Sequence, residues 1–442
     1  MVQQALGSLR LTRRSLLAST LGSTIALLAA CSSQSPAPAP TTAPSQPTAA
    51  APTKAPAATA APTTAPAAPT AAPSPTTAAA APTPVAATSP TAATASSDEA
   101  VIAAAKAVSA KATAPVTTWD GPTSGPKAQA KKFVIYVSTD QRNGGAAGVG
   151  AGSEEAAKAI GWKYQLIDGR GTVQGGTDAL NQAISLKPDA IILGGVDAVS
   201  QKTAISKASS LGIKLVGWHA APEPQAYPDL NVIWNLTSDP VLGAQTTADY
   251  VIAQSNGTAG VAIFTDSEYA IAVKKSEAMK AQLAKCKGCT LLQYVDTPLA
   301  EAGQRTPQII TNLYQKFGKK MAFVLGINDL WFDYAGGTLA SLGVPPSGPP
   351  VFVSDGDGSK SAYNRIREGQ FQVATVPEPL NLQGWQAIDE LNRAFAGAPV
   401  SGYVLGIHLV TKDNIDKDGG PQNVFDPGNG YRDQYKKIWG VS

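Results

Sequence analysis

The chain has 442 residues, 43% apolar and 15% charged, which would allow two or three domains if all of it folded. No Asp or Glu precedes Asp98, and only Arg10, Arg13, Arg14 and Lys54 are basic there, so from Asp98 onward 31 bases meet all 32 acids. The net charge of +3 therefore belongs to the amino-terminal segment, which excludes a basic-patch nucleic-acid binder, and three Cys with two His leave little material for a metal cluster or a disulfide-built scaffold.

The first 31 residues read as an address. Thr12-Arg13-Arg14-Ser15-Leu16-Leu17 closes a basic region, and the apolar stretch 15–30 is too short and too rich in Ser and Gly for a stable membrane span. Paired arginines suit a twin-arginine signal and an ordinary export signal alike. Leu28-Ala29-Ala30-Cys31 resembles a bacterial lipobox, so Cys31 is expected to carry a lipid and become the mature amino terminus. Residues 32–97 are almost wholly Ala, Pro, Thr and Ser, too poor in apolar surface to offset ordering entropy. They are expected to form a disordered tether, extended by polyproline II and open to O-glycosylation. The folded part is then 98–442, outside the cytoplasm.

Asp98-Glu99 opens an Ala-rich helix to about residue 112, which Trp119-Asp120-Gly121-Pro122 breaks. From residue 133, short apolar runs alternate with amphipathic segments, the pattern of βαβ units on a parallel sheet. Strands are predicted at 133–137, 164–167, 190–193, 214–217 and 232–234, then at 261–264, 291–295, 322–325, 351–354 and 372–376, with helices at 174–186, 199–211, 270–284 and 306–317 among those between them. Two series of five strands predict an α/β fold of two three-layer Rossmann-like lobes with parallel sheets, joined by a hinge. Cys286-Lys287-Gly288-Cys289 ends a predicted helix, whereas a redox-active pair begins one, so a local structural disulfide is expected.

Ligand groups converge beyond the carboxyl ends of such strands. Those ends offer Asp140, Arg142 and Asn143, Trp218 and His219, Tyr269, Asn328 and Trp331, and Asp355 with Asp357. Carboxylates, amides and aromatic rings together suit hydroxyls and ring faces, although Asp, Asn and Gly also serve simply as caps and turns. Trp331 has a second reading, packing inward at the start of a helix. Gly148-Val149-Gly150-Ala151-Gly152 echoes a dinucleotide fingerprint and leaves an exported NAD(P)-dependent oxidoreductase as an alternative, but Ser153 stands where the third glycine belongs and Gly148 lies too far from the strand. His219 and His408 neighbour no Cys or paired carboxylate at ligand spacing, so no metal site and no catalytic residues are expected.

Pro188-Asp189-Ala190-Ile191-Ile192-Leu193 and Gly212-Ile213-Lys214-Leu215-Val216, with Ser238-Asp239-Pro240, Asn328-Asp329, Asp355-Gly356 and Leu409-Val410-Thr411, resemble the type I periplasmic solute-binding proteins for sugars, relatives of the ribose-binding protein. The resemblance spans most of 130–416. Repressors that share the fold carry a helix-turn-helix where this chain has its signal and tether. The likeness implies lobe 1 at about 128–238 plus 378–408 and lobe 2 at about 239–377 plus 409–442. It also implies a monomer without enzymatic activity or cofactor, closing on a small sugar-like molecule and docking on the permease of an ABC importer; a chemoreceptor or sensor kinase as partner is equally compatible. By the same resemblance Asn143, Asn328 and Asp355 are ligand contacts, with Asp357 an alternative carboxylate. Trp218-His219 replaces the family's Asp-Arg pair, Gly144-Gly145 its aromatic residues, and Pro377-Glu378-Pro379 its glutamine. These departures put an ordinary monosaccharide in doubt and leave a small polar ring compound.

Overall fold

The computed structural model describes residues 92–442; Cys31, the export signal and the tether up to residue 91 lie outside the described residues. Chain order begins α1 (Ala92–Ala112), β1 (Phe133–Ser138), α2 (Gly144–Ile160), β2 (Lys163–Asp168), α3 (Val173–Ser185), β3 (Ala190–Gly194), α4 (Lys202–Ser210), β4 (Lys214–Trp218) and β5 (Asn235–Leu236). It continues with α5 (Pro240–Gln254), β6 (Gly260–Thr265), α6 (Ala270–Leu283), β7 (Thr290–Asp296), α7 (Ala302–Phe317), β8 (Phe323–Gly326), α8 (Phe332–Ser341) and β9 (Val351–Ser354). The last elements are α9 (Lys360–Glu368), β10 (Gln372–Thr375), α10 (Leu380–Phe395), β11 (Val410–Thr411), α11 (Ile415–Asp418) and α12 (Tyr431–Trp439).

The strands form two sheets, ordered β2-β1-β3-β4-β5 and β11-β10-β9-β8-β6-β7. All pairs are parallel except β10 with β11. β1 and β3 are buried on both faces, as continuous apolar strands between helical layers must be. Tyr136 and Ile192 belong to the core on one face of the first sheet, and Ile135 and Ile191 to the core on the other. Helix starts follow local chemistry: Asn143 Oδ1 accepts from the backbone N–H groups of Gly145 and Ala146, and Asp239 caps α5 with Pro240 in its first turn. No helix among the described residues is long and apolar enough to cross a membrane.

Two features depart from expectation. The fifth strand lies at Asn235–Leu236 rather than 232–234, because Val232 pairs back on Tyr227 in an isolated antiparallel bridge. Residues 409–442 do not stay in the second lobe. β11 joins the second sheet, but α12 returns to the first lobe, where Trp439 stacks on Trp385 of α10 with centroids 5.4 Å apart. At the other end α1 packs on α5 in the second lobe, and Trp119 then packs against Tyr403 and Tyr435 in the first. An amphipathic helix declares that one face is buried without declaring which lobe buries it.

Cys286 and Cys289 form a disulfide between α6 and β7, with Cα atoms 5.3 Å apart. So short a loop removes little unfolded-state entropy, so the Cys286→Ser/Cys289→Ser double variant is expected to lose at most about 2 kcal/mol. Thermal melts of oxidised wild type and the variant check this; a much larger loss would show that the bridge holds more than its own turn.

Candidate functional site

The carboxyl ends of β1, β3 and β4 face those of β6 and β8 and the loop after β9, and between them lies a cleft with about 590 Å³ of atom-free space including its mouth. The lobes touch across it. Thr139 Oγ1 lies 3.1 Å from Tyr269 Oη, and Glu223 of the first lobe pairs with Lys274 of the second. Deeper in, His219 Nδ1 stands 3.8 Å from Asp357 Oδ1.

His219 is held in place by several constraints. Its ring stacks on Trp218, centroids 4.1 Å apart and planes 8° from parallel, while the indole N–H donates to Gln383 Oε1 at 2.8 Å. Its backbone has φ of +51°, a left-handed conformation costly for a residue with a Cβ and often found where function fixes a side chain. Its Nε2 lies 3.3 Å from Glu378 Oε1. Glu378 also accepts from Ser238 Oγ at 2.6 Å and from Gln383, and lies on the crossover between β10 and α10. Burial alone would raise this carboxyl, but the hydrogen bond and charge of His219, then Lys275, outweigh it and hold it at about 2.

Beneath the cleft a second charge pair is almost dry. Lys275, on the buried face of α6, donates to the Asp355 carbonyl oxygen at 2.9 Å and lies 3.9 Å from Asp355 Oδ2. Burial pushes the Asp355 carboxyl up to about 7 despite Lys275. Burial also raises Asp357, against the opposing effects of His219 and Lys275. Lys275 is held above its ordinary range: burial disfavours its charge, but Asp355, Asp357, Glu378 and Asp329 favour it more.

Of the residues singled out from the sequence, Asp140, Asn143, Trp218, His219, Tyr269, Asn328 and Asp357 line the cleft. Three stand elsewhere. Arg142 forks onto Asp140 but turns more than half of its side chain to solvent, at a neighbouring opening. Asp355 lies behind the lining, against Gly243 and Lys275. Trp331 is fully buried and packs against Phe264 in the second core, the inward alternative for a residue that starts a helix. The residues 148–152 run inside α2, where Gly148 and Gly152 let α10 approach through Leu380 and the Asn381 backbone, so they form no phosphate-binding turn. Among the described residues no group of three or more His, Cys, Asp or Glu side chains is placed to hold a metal.

Sequence reasoning placed Glu378 where the family has a glutamine without assigning it a role, and missed Lys275 and an apolar wall built by Ile271, Leu299, Ile327 and Leu330. A signal for Lys275 was present: it falls on the same helical stripe as Ile271, Ala272, Met279 and Leu283, where a solvated lysine does not belong.

Compared with known families, residues 134–399 match the periplasmic binding protein domain. The chain belongs to this family. No curated protein matches it in sequence. Among solved structures it is similar to a glucose-galactose binding protein from Geobacillus stearothermophilus, with TM-score 0.56 and 17% identity over 65% of this chain and 99% of the other. A solute-binding protein from Agrobacterium vitis bound with alpha-D-tagatopyranose aligns with TM-score 0.58 and 17% identity, over 66% and 99% of the two chains. A twin-arginine translocation pathway signal protein from Burkholderia phytofirmans aligns with TM-score 0.58 and 17% identity, over 71% and 96%. At these identities the likeness fixes the fold, two α/β lobes of the type I binding-protein kind, and the family places such domains outside the cytoplasm.

Proposed function

We propose that the protein is a lipid-anchored capture component of an ABC importer, which closes its two lobes on a sugar or similar small polar ring compound and presents the closed form to a permease. The observation that carries this is the cleft itself, where strand-end groups of both lobes, Asn143 and His219 on one side and Asn328 and Asp357 on the other, meet across a hinge. Family membership and the sugar ligands named for structural neighbours support it. Binding then works by population shift: a molecule that contacts both lobes stabilises the closed arrangement by its differential affinity for it. Cys31 carries the anchor and residues 32–97 span the distance to the membrane, with the lobes acting as a monomer. The cleft performs no chemistry in this reading. Its charged groups sit beside one another, His219 between Asp357 and Glu378 and Lys275 next to Asp355.

A thermal-shift screen of sugars, polyols, nucleosides and nucleobases tests it. A true ligand at 100 times its dissociation constant is expected to stabilise by about 2.7 kcal/mol. If no small molecule moves the melt, capture in this cleft is excluded.

A further inference from the structure

Resting on this reading of the cleft, we propose that the ligand is poor in hydroxyls: a compact ring with an apolar body and a single polar edge, such as a deoxygenated sugar or a heterocycle of nucleobase size. Most polar groups around the cleft are already occupied by one another. Both Asp140 oxygens accept from the Arg142 guanidinium, and Thr139 pairs with Tyr269. Asn328 donates to Asp357 Oδ2 at 2.6 Å and accepts from the Leu330 N–H at 2.9 Å. The Trp218 N–H is spent on Gln383, and the Lys275 amine donates to the Asp355 carbonyl oxygen.

Among the described residues Lys275 keeps two N–H donors, Asn328 one and the Thr139–Tyr269 pair one O–H, while the Asn143 amide N–H₂, whose oxygen caps α2, and the facing His219 Nδ1 and Asp357 Oδ1, which at 3.8 Å are too far apart to bond each other, have no partner at all. The same cleft is also lined by Ile271, Ala272, Leu299, Ile327 and Leu330, all aliphatic and all from the second lobe. A hexose carries five hydroxyls, each a donor with two lone pairs, and needs on the order of ten hydrogen bonds when enclosed. Against this wall several would be stripped of water without a partner, at a cost of about tenfold or more in affinity for each. An apolar ring face buried there gains instead, while one donor-acceptor edge meets Asn143, His219 and Asp357.

Calorimetric titration of the full chain with matched probes decides the matter: D-galactose against D-fucose, D-ribose against 2-deoxy-D-ribose, L-mannose against L-rhamnose, and inosine against hypoxanthine. The tightest binder is expected to be a hydroxyl-poor member, at least about tenfold tighter than its hydroxylated counterpart, and to lose at least about tenfold in each of Leu299→Ser and Asp357→Asn. Tighter or equal binding of the hydroxylated members overturns the inference and leaves the capture of sugars standing. A hydroxyl-poor binder indifferent to both substitutions also overturns it, since that ligand sits elsewhere. Absence of binding by every probe and by the wider screen overturns the capture reading, and the inference with it.

Discussion

Lys275→Met is expected to lose about 3 to 5 kcal/mol of stability at pH 8, because removing one partner of a buried charge cluster leaves the others uncompensated. Lys275 is 3% exposed, and Asp355, Asp357, Glu378 and Asp329 all stabilise its charge. The loss should shrink toward pH 4.5. Lys275 stays charged over that whole range, so the pH dependence comes from the carboxylates around it. Asp355, raised to about 7 in the folded protein, binds more protons there than in the unfolded chain between about pH 4 and 7. Its contribution is therefore fully present at low pH and is lost as pH rises through 7. Glu378 runs the other way, stabilising above its ordinary range and losing that only as pH falls toward 2. Asp355→Asn should accordingly flatten the decline of stability between pH 4.5 and 8. Urea denaturation of wild type, Lys275→Met and Asp355→Asn at both pH values measures all of this. An unperturbed Lys275→Met protein at pH 8 would show that the lysine is not the counter-charge of the cluster.

The residues of the cleft differ in how legible they were, and the reasons are physical. Parallel strands such as β1 and β3 are buried on both faces, so their apolar runs stand out and their carboxyl ends follow at once; Asp140, Asn143, His219 and Asp357 were found in this way. Trp218 ends β4 and Trp331 lies beyond β8; both are buried in cores, yet only Trp218 of the two also lines the cleft. What separates them is the kind of buried partner that awaits the indole, the polar Gln383 side chain for Trp218 and the Phe264 ring for Trp331, and that partner lies far away in sequence. Asp355 and Asp357 stand two residues apart, but one faces Lys275 below and the other His219 above. Lone charges in helices default to solvent, which hid Lys275. Its partners are assembled only when the loops after β9 and β10 converge above α6.

Gly145→Ala is expected to weaken ligand binding by about ten- to a hundredfold while leaving the ligand-free melting temperature unchanged or slightly higher. In the observed arrangement a Cβ at Gly145 would stand 2.2 Å from Asp357 Oδ2 and 2.4 Å from its Cβ, closer than any real contact. The neighbouring Gly144 meets Ser359 in the same way, with Cβ to Cβ at 2.5 Å. The two glycines at the start of α2 thus let the Asp357–Ser359 loop of the second lobe seat against the first. An added methyl must push that loop back, and overpacking of this kind costs about 1 to 3 kcal/mol, charged wholly to the closed form. The open form has no such neighbour, and there alanine in place of glycine near a helix start is neutral or favours the helix by up to about 1 kcal/mol. The two effects have opposite sign, which separates a closure contact from an ordinary core position. Titration with whichever probe the screen identifies, beside melts of the ligand-free protein, reads both. Wild-type affinity in Gly145→Ala would mean that the lobes do not close through this contact when ligand is bound, whereas a fall in ligand-free stability would place Gly145 in the packing of the first lobe itself.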